Sequence, residues 1–160
     1  MNALKLGIVS CLYLGCIPFA SGTFGTLGGV AIAWLLRDQP HYLWLSLGVA
    51  ALLYAISRPL GPWAEAYAKK KDPGFFVLDE VIGYLVTVAW LRGPSTIALV
   101  TAFFVFRFFD VLKPGLVRKM EALGGGDGIL LDDVAAGLYG LVLVMLPARL
   151  LIDVAWTTGG

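Results

Sequence analysis

Charge is what this chain has least of. Only 14% of its 160 residues are Asp, Glu, Lys or Arg, against about a quarter in a soluble globular domain, so a surface built for water is excluded. Cysteine is nearly absent. Cys11 and Cys16 share one apolar stretch and are too few for a disulfide framework or a four-ligand zinc site. With a single histidine, His41, a phosphohistidine route has little to work with. The 12 basic and 11 acidic residues leave a net charge of +1, and no basic stripe with interleaved aromatics exists, which argues against a nucleic-acid partner. What is abundant is hydrocarbon: 59% of the residues are hydrophobic, and 20 are glycines of the kind that let helix backbones approach closely in a bilayer. Composition therefore places the chain in the membrane class.

Apolar runs of spanning or near-spanning length cover residues 41–57, 76–91, 95–112 and 129–152. The N-terminal part reads as an interfacial or half-helix up to about Ile17, a polar elbow over residues 21–26, and a further span over 26–36. The expected fold is an all-α polytopic membrane bundle of about five spans, forming a single domain over residues 1–160. Basic residues divide unequally between the two ends. Lys5, Arg58, Lys69, Lys70, Lys71, Lys113, Arg118 and Lys119 lie on one side, and Arg37, Arg92 and Arg149 on the other. The richer side is expected to face the cytoplasm.

Against that background five carboxylates stand out: Asp79, Glu80, Asp110, Asp132 and Asp133. An ionised carboxylate in or beside hydrocarbon costs several kcal/mol unless it is paired, hydrated or metal-bound, so each is a candidate functional group. On the expected topology all five reach the cytoplasmic end. Asp79 and Glu80 open one helix, Asp110 closes the next, and Asp132 with Asp133 opens another, where one of the pair can serve as an N-cap. Arg107, Asp110 and Lys113 follow at spacings of three on one helix face. They form either an ion pair with a snorkelling lysine or a metal-binding Asp110 flanked by cations for a phosphate group. Oxygen-only ligands favour a hard cation, Mg²⁺ or Mn²⁺. Thr23 and Thr26 are placed either to donate to a phosphate or to cap a helix. The run Gly124-Gly125-Gly126-Asp127-Gly128 reads as a flexible turn or as a phosphate-approaching loop. A small cation or proton transporter is the competing interpretation of the same carboxylates.

The blocks Gly22-Thr23-Phe24-Gly25-Thr26, Val77-Leu78-Asp79-Glu80-Val81-Ile82-Gly83, Phe106-Arg107-Phe108-Phe109-Asp110-Val111-Leu112-Lys113-Pro114, and Gly125-Gly126-Asp127-Gly128-Ile129 leading into Asp132-Asp133 together resemble the phosphatidylglycerophosphatase A family. The resemblance implies a Mg²⁺-dependent enzyme of the bacterial cytoplasmic membrane. It would remove the terminal phosphate of phosphatidylglycerol phosphate at the cytoplasmic face. It further implies that Asp79, Asp110, Asp132 and Asp133 hold the metal, with Glu80 as a ligand or as the base for the attacking water. Arg107 and Lys113 would neutralise the phosphate, with Thr23 and Thr26 beside it. Ser21 and Thr26 stand where that family often has Pro and Ser.

Overall fold

A computed structural model describes residues 2–151. Among them the regular structure is helical, with no β-strand: α1 (Asn2–Val9), α2 (Ser21–Leu36), α3 (Tyr42–Ser57), α4 (Gly61–Ala68), α5 (Leu78–Thr87), α6 (Thr96–Leu112), α7 (Gly115–Glu121), α8 (Gly125–Gly140) and α9 (Leu146–Leu151). A 3₁₀ turn at Arg58–Leu60 joins α3 to α4, and a wide π turn at Leu141–Met145 joins α8 to α9. The π turn precedes Pro147, which has no N–H to donate and would clash in a regular helix interior. Tyr42–Ala68 and Gly125–Leu151 thereby form two helices of 27 residues, each long and apolar enough to cross a membrane. The other predicted spans are shorter, α2 at 16 residues, α5 at 10 and α6 at 17, so the count of five is not carried by helix length. The run predicted over 129–152 is helical through Leu151, its last residue lying outside the described ones.

Helix α5 is the axis of the bundle. It packs against α8, α2, α3 and α6, and eight of its ten residues are buried, including Asp79, Gly83 and Thr87. At about 1.5 Å per residue it is only about 15 Å long. Its polar first turn therefore sits at one end of the bundle and its C-terminus short of the other. Small residues make the packing close. The stripe Ala136, Gly137 and Gly140 predicted to allow helix contact does so: a methyl on Gly137 would collide with the Gly83 carbonyl, and one on Gly83 would meet the Phe106 ring at 2.5 Å. Polar bonds tie the same layers. Tyr84 donates to the Leu99 carbonyl at 2.9 Å, joining α5 to α6, and Thr87 donates to the Gly83 carbonyl at 3.0 Å while facing that of Gly137 at 3.4 Å.

Two local expectations are corrected. Residues 21–26 are not an elbow but the first turns of α2, which start after Ala20 in the left-handed region. The glycine run is likewise helical from Gly125 onward, so Asp132 and Asp133 lie two turns inside α8 and neither is its N-cap. Packing overrides the low helix propensity of glycine there. Gly126 abuts the Arg58 carbonyl, and Asp127 takes a bidentate pair from Arg58 at 2.6 and 2.9 Å and a bond from Tyr54 at 2.8 Å. Replacing Gly137 by Val forces α8 away from α5. The expected loss is about 1–3 kcal/mol, read as a lower unfolding midpoint in detergent.

Candidate active site

The first turn of α5, the middle of α8 and the end of α6 meet at one end of the bundle. Asp79, Glu80 and Asp133 each present a carboxylate oxygen, and these oxygens lie within 4.8 Å of one another. Asp79 and Asp133 are 6% and 3% exposed. Local geometry orients the pairs in the same way on both helices: Asp79 accepts from the Glu80 backbone N–H at 3.0 Å, and Asp132 from that of Asp133 at 3.0 Å. Glu80 Oε2 is buried and has no hydrogen-bond partner among the described residues. A methyl on Gly25 would come within 3.2 Å of that oxygen, and one on Gly22 would strike Glu80 Oε1. Helix α2 therefore covers the glutamate with backbone alone.

The cations stand around this trio. Arg107 Nη1 donates to Asp110 Oδ2 at 2.6 Å, forming the ion pair expected along α6. Asp110 in turn bears electrostatically on both Glu80 and Asp133, so it borders the cluster. Lys113 leaves the Arg107–Asp110 row. It sits in the left-handed region just past α6 and donates to Asp132 Oδ2 at 2.9 Å and to Glu121 Oε1 at 2.8 Å. Burial alone would lower the Lys113 ammonium, but those two carboxylates outweigh it and hold the group above its ordinary range. Thr26 is fully buried and its hydroxyl donates to the Gly22 carbonyl at 2.8 Å, one turn back in its own helix. Thr23 lies half-buried on the preceding turn.

Asp72 and Glu121 escaped the sequence reading. With Glu65, Lys71 and Asp132 they line a cavity of about 120 Å³ beside the carboxylates. Asp72 follows three lysines in a loop and precedes Pro73, a context indistinguishable from an ordinary solvated turn. Its proximity to Asp79 and Asp132 comes from the fold. The one signal available was a left-handed residue at a non-glycine position, φ 44°, and that is a structural observation.

Three like charges brought together out of water repel, and the cations nearby are already paired with Asp110, Asp132 and Glu121. A group with all-oxygen ligands and one orphaned oxygen suits a hard divalent cation. The cluster beside Arg107 is suited to phosphate.

The model of the phosphatidylglycerophosphatase A family matches residues 7–148. The chain belongs to that family. Among curated proteins it is 34% identical over 148 residues to phosphatidylglycerophosphatase A of Haemophilus influenzae, covering 88% of this chain and 90% of that one. It is 28% identical over 127 residues to the Escherichia coli protein of the same name, covering 77% and 71%. A putative phosphatidylinositol-3-phosphatase of Bacteroides thetaiotaomicron is 34% identical over 143 residues, covering 81% and 84%. No solved structure matches the chain. The ion-transport alternative finds no support in these relatives.

A divalent cation that settles among Asp79, Glu80 and Asp133 relieves their repulsion. Adding Mg²⁺ or Mn²⁺ is therefore expected to raise the unfolding midpoint saturably, and Asp133→Asn is expected to remove at least half of that rise, as followed by thermal denaturation in detergent.

Proposed function

We propose that the chain is a Mg²⁺-dependent phosphomonoesterase that converts phosphatidylglycerol phosphate to phosphatidylglycerol at the cytoplasmic face of a bacterial inner membrane. The observation that carries this reading is the meeting of Asp79, Glu80 and Asp133 with Arg107 at one end of a bundle whose outside is hydrocarbon. Leu35, Trp44 and Phe104 are 74%, 71% and 66% exposed, while the carboxylates are inside. That inversion suits a bilayer rather than water. Most basic residues gather at the carboxylate end, with Lys5 lying over the Trp63 ring there and Arg37, Arg92 and Arg149 at the other. The positive-inside bias then turns the site to the cytoplasm. In this setting α2, α5 and α6 complete the membrane core, their short ends met by the interfacial segments around them.

The terminal phosphate would enter beside Arg107, which spends one N–H on Asp110 and retains others for phosphoryl oxygens. Lys113 holds Asp132 in place and adds positive charge at the rim. Asp79, Asp110, Asp132 and Asp133 are the proposed metal ligands, with Glu80 beside them. A divalent cation bound there supplies charge neutralisation at the phosphoryl oxygens and a more acidic water. Glu80, whose buried Oε2 receives no hydrogen bond from a donor among the described residues, would take the proton of the attacking water. The water oxygen would bond to phosphorus as the P–O bond to the lipid breaks, the proton taken up by Glu80 would pass to the departing glycerol oxygen, and inorganic phosphate would be released. Thr23 remains available to the phosphate, whereas Thr26 serves through the helix it braces.

Purified protein in detergent is expected to release phosphate from phosphatidylglycerol phosphate with Mg²⁺ and not with chelator. Asp110→Asn and Glu80→Gln should each lower turnover about 100-fold or more. Phosphatidylinositol 3-phosphate is the informative second substrate, given the name of the Bacteroides relative. Faster turnover of it would move the headgroup assignment, and no metal-dependent release from either lipid by folded protein would reject the reading.

A further inference from the structure

The end of the bundle remote from the carboxylates holds a second buried charge. Arg149, on α9, is 4% exposed and forms no ion pair among the described residues. Its Nη1 donates to the Ala89 carbonyl at 3.4 Å, just past the C-terminus of α5, and its guanidinium lies 4.9 Å from the Trp90 ring centre. These contacts satisfy one edge of the group. Nε and Nη2, which together form the opposite edge, are buried and have no acceptor among the described residues. Tyr42 and Ser46, one helical turn apart on α3 and 1% and 0% exposed, lie close enough to bond to each other, and neither hydroxyl has a partner on another element among the described residues. Tyr42 lies close enough to Arg149 for the two to interact electrostatically, and Ser46 adjoins Tyr42.

The free edge has a defined chemistry. Elsewhere in this protein Arg58 uses its Nε and Nη2 to grip the two oxygens of Asp127. A guanidinium edge of that kind matches two oxygens of a carboxylate or phosphate, and a buried cation without a counter-ion is unfavourable. We propose that Arg149, Tyr42 and Ser46 form a binding site for a phosphate-type oxyanion at the end of the bundle opposite the carboxylates. The site is about 15 Å from them along α5. Its occupant bridges α3, the end of α5 and α9, and so ties together the far ends of α5, which begins with Asp79 and Glu80, and of the α8–α9 helix, which carries Asp133. Its source is either the phosphodiester of a bilayer lipid or free phosphate.

The test is thermal unfolding of the purified full chain in phosphate-free alkyl maltoside micelles with chelator. The micelles are titrated separately with inorganic phosphate and with phosphatidylglycerol. For wild type the midpoint is expected to rise saturably with one titrant: a lipid response places the mouth of the site in the bilayer, a phosphate response in water. Tyr42→Phe and Ser46→Ala, both conservative in shape, are expected to raise the half-saturating concentration about tenfold. Arg149→Lys, which keeps the charge and removes the fork, should raise it at least as much. Because these positions lie far from the carboxylates, their effect separates this site from the proposed phosphate site there. A response to neither titrant, or one indifferent to all three substitutions, would overturn the proposal.

Discussion

The closest approach between α5 and α8 governs the rest of this molecule. Gly83 and Gly137 face one another with no side chain between, and the Gly83 carbonyl occupies the space a methyl on Gly137 would need. That contact lies one turn beyond Asp79 and one turn beyond Asp133 on their respective helices. Bringing the backbones together there draws the first turn of α5 against the middle of α8, and the carboxylates with them. Phe106 closes the third side against Gly83, which fixes the end of α6 and hence Arg107 and Asp110. A wider contact would leave the same residues on the same helices with their charges out of reach of one another.

Electrostatics then explains why the site is asymmetric. Arg107 is paired with Asp110, and Lys113 is shared between Asp132 and Glu121. Asp79 and Asp133 have no ion pair among the described residues, and Glu80, though it lies near Arg107, forms none with it and keeps a buried oxygen without a donor. Burial of like charges is costly, and proteins retain it where the charge is used. Two of the proposed metal ligands, Asp79 and Asp133, and the proposed proton acceptor, Glu80, fall in this group, while Asp110 and Asp132 reach it from their cations.

Much of the site was legible because carboxylates are conspicuous in hydrocarbon. Asp79, Glu80 and Asp133, which meet in the fold, were among the five marked by their surroundings, and the Arg107–Asp110 pair was one of two readings of a spacing of three on one helix. Readings that failed rested on local signals that packing overrode. The glycines at 124–128 resemble a loop, but Gly126 is needed small against Arg58, and the Arg58–Asp127 pair holds the segment in α8. Thr26 resembles a phosphate donor, but in a buried helix its hydroxyl turns to the carbonyl four residues back. Asp72 and Glu121 gave no signal, since each is an ordinary acid in a polar segment until the chain folds over the cavity they share with Asp132.

By itself the sequence determined the solvent, the helical class, the sidedness of the basic residues and the acids that hydrocarbon makes expensive. These follow from composition and from spacing within one element, where distance along the chain stands for distance in space. Tertiary structure alone decided which acids meet, which cations are already paired, and that Arg149 is enclosed beside Tyr42 and Ser46 with one edge free. Those relations join residues from separate helices. Their distances are set by how closely backbones pack, and no local pattern encodes that.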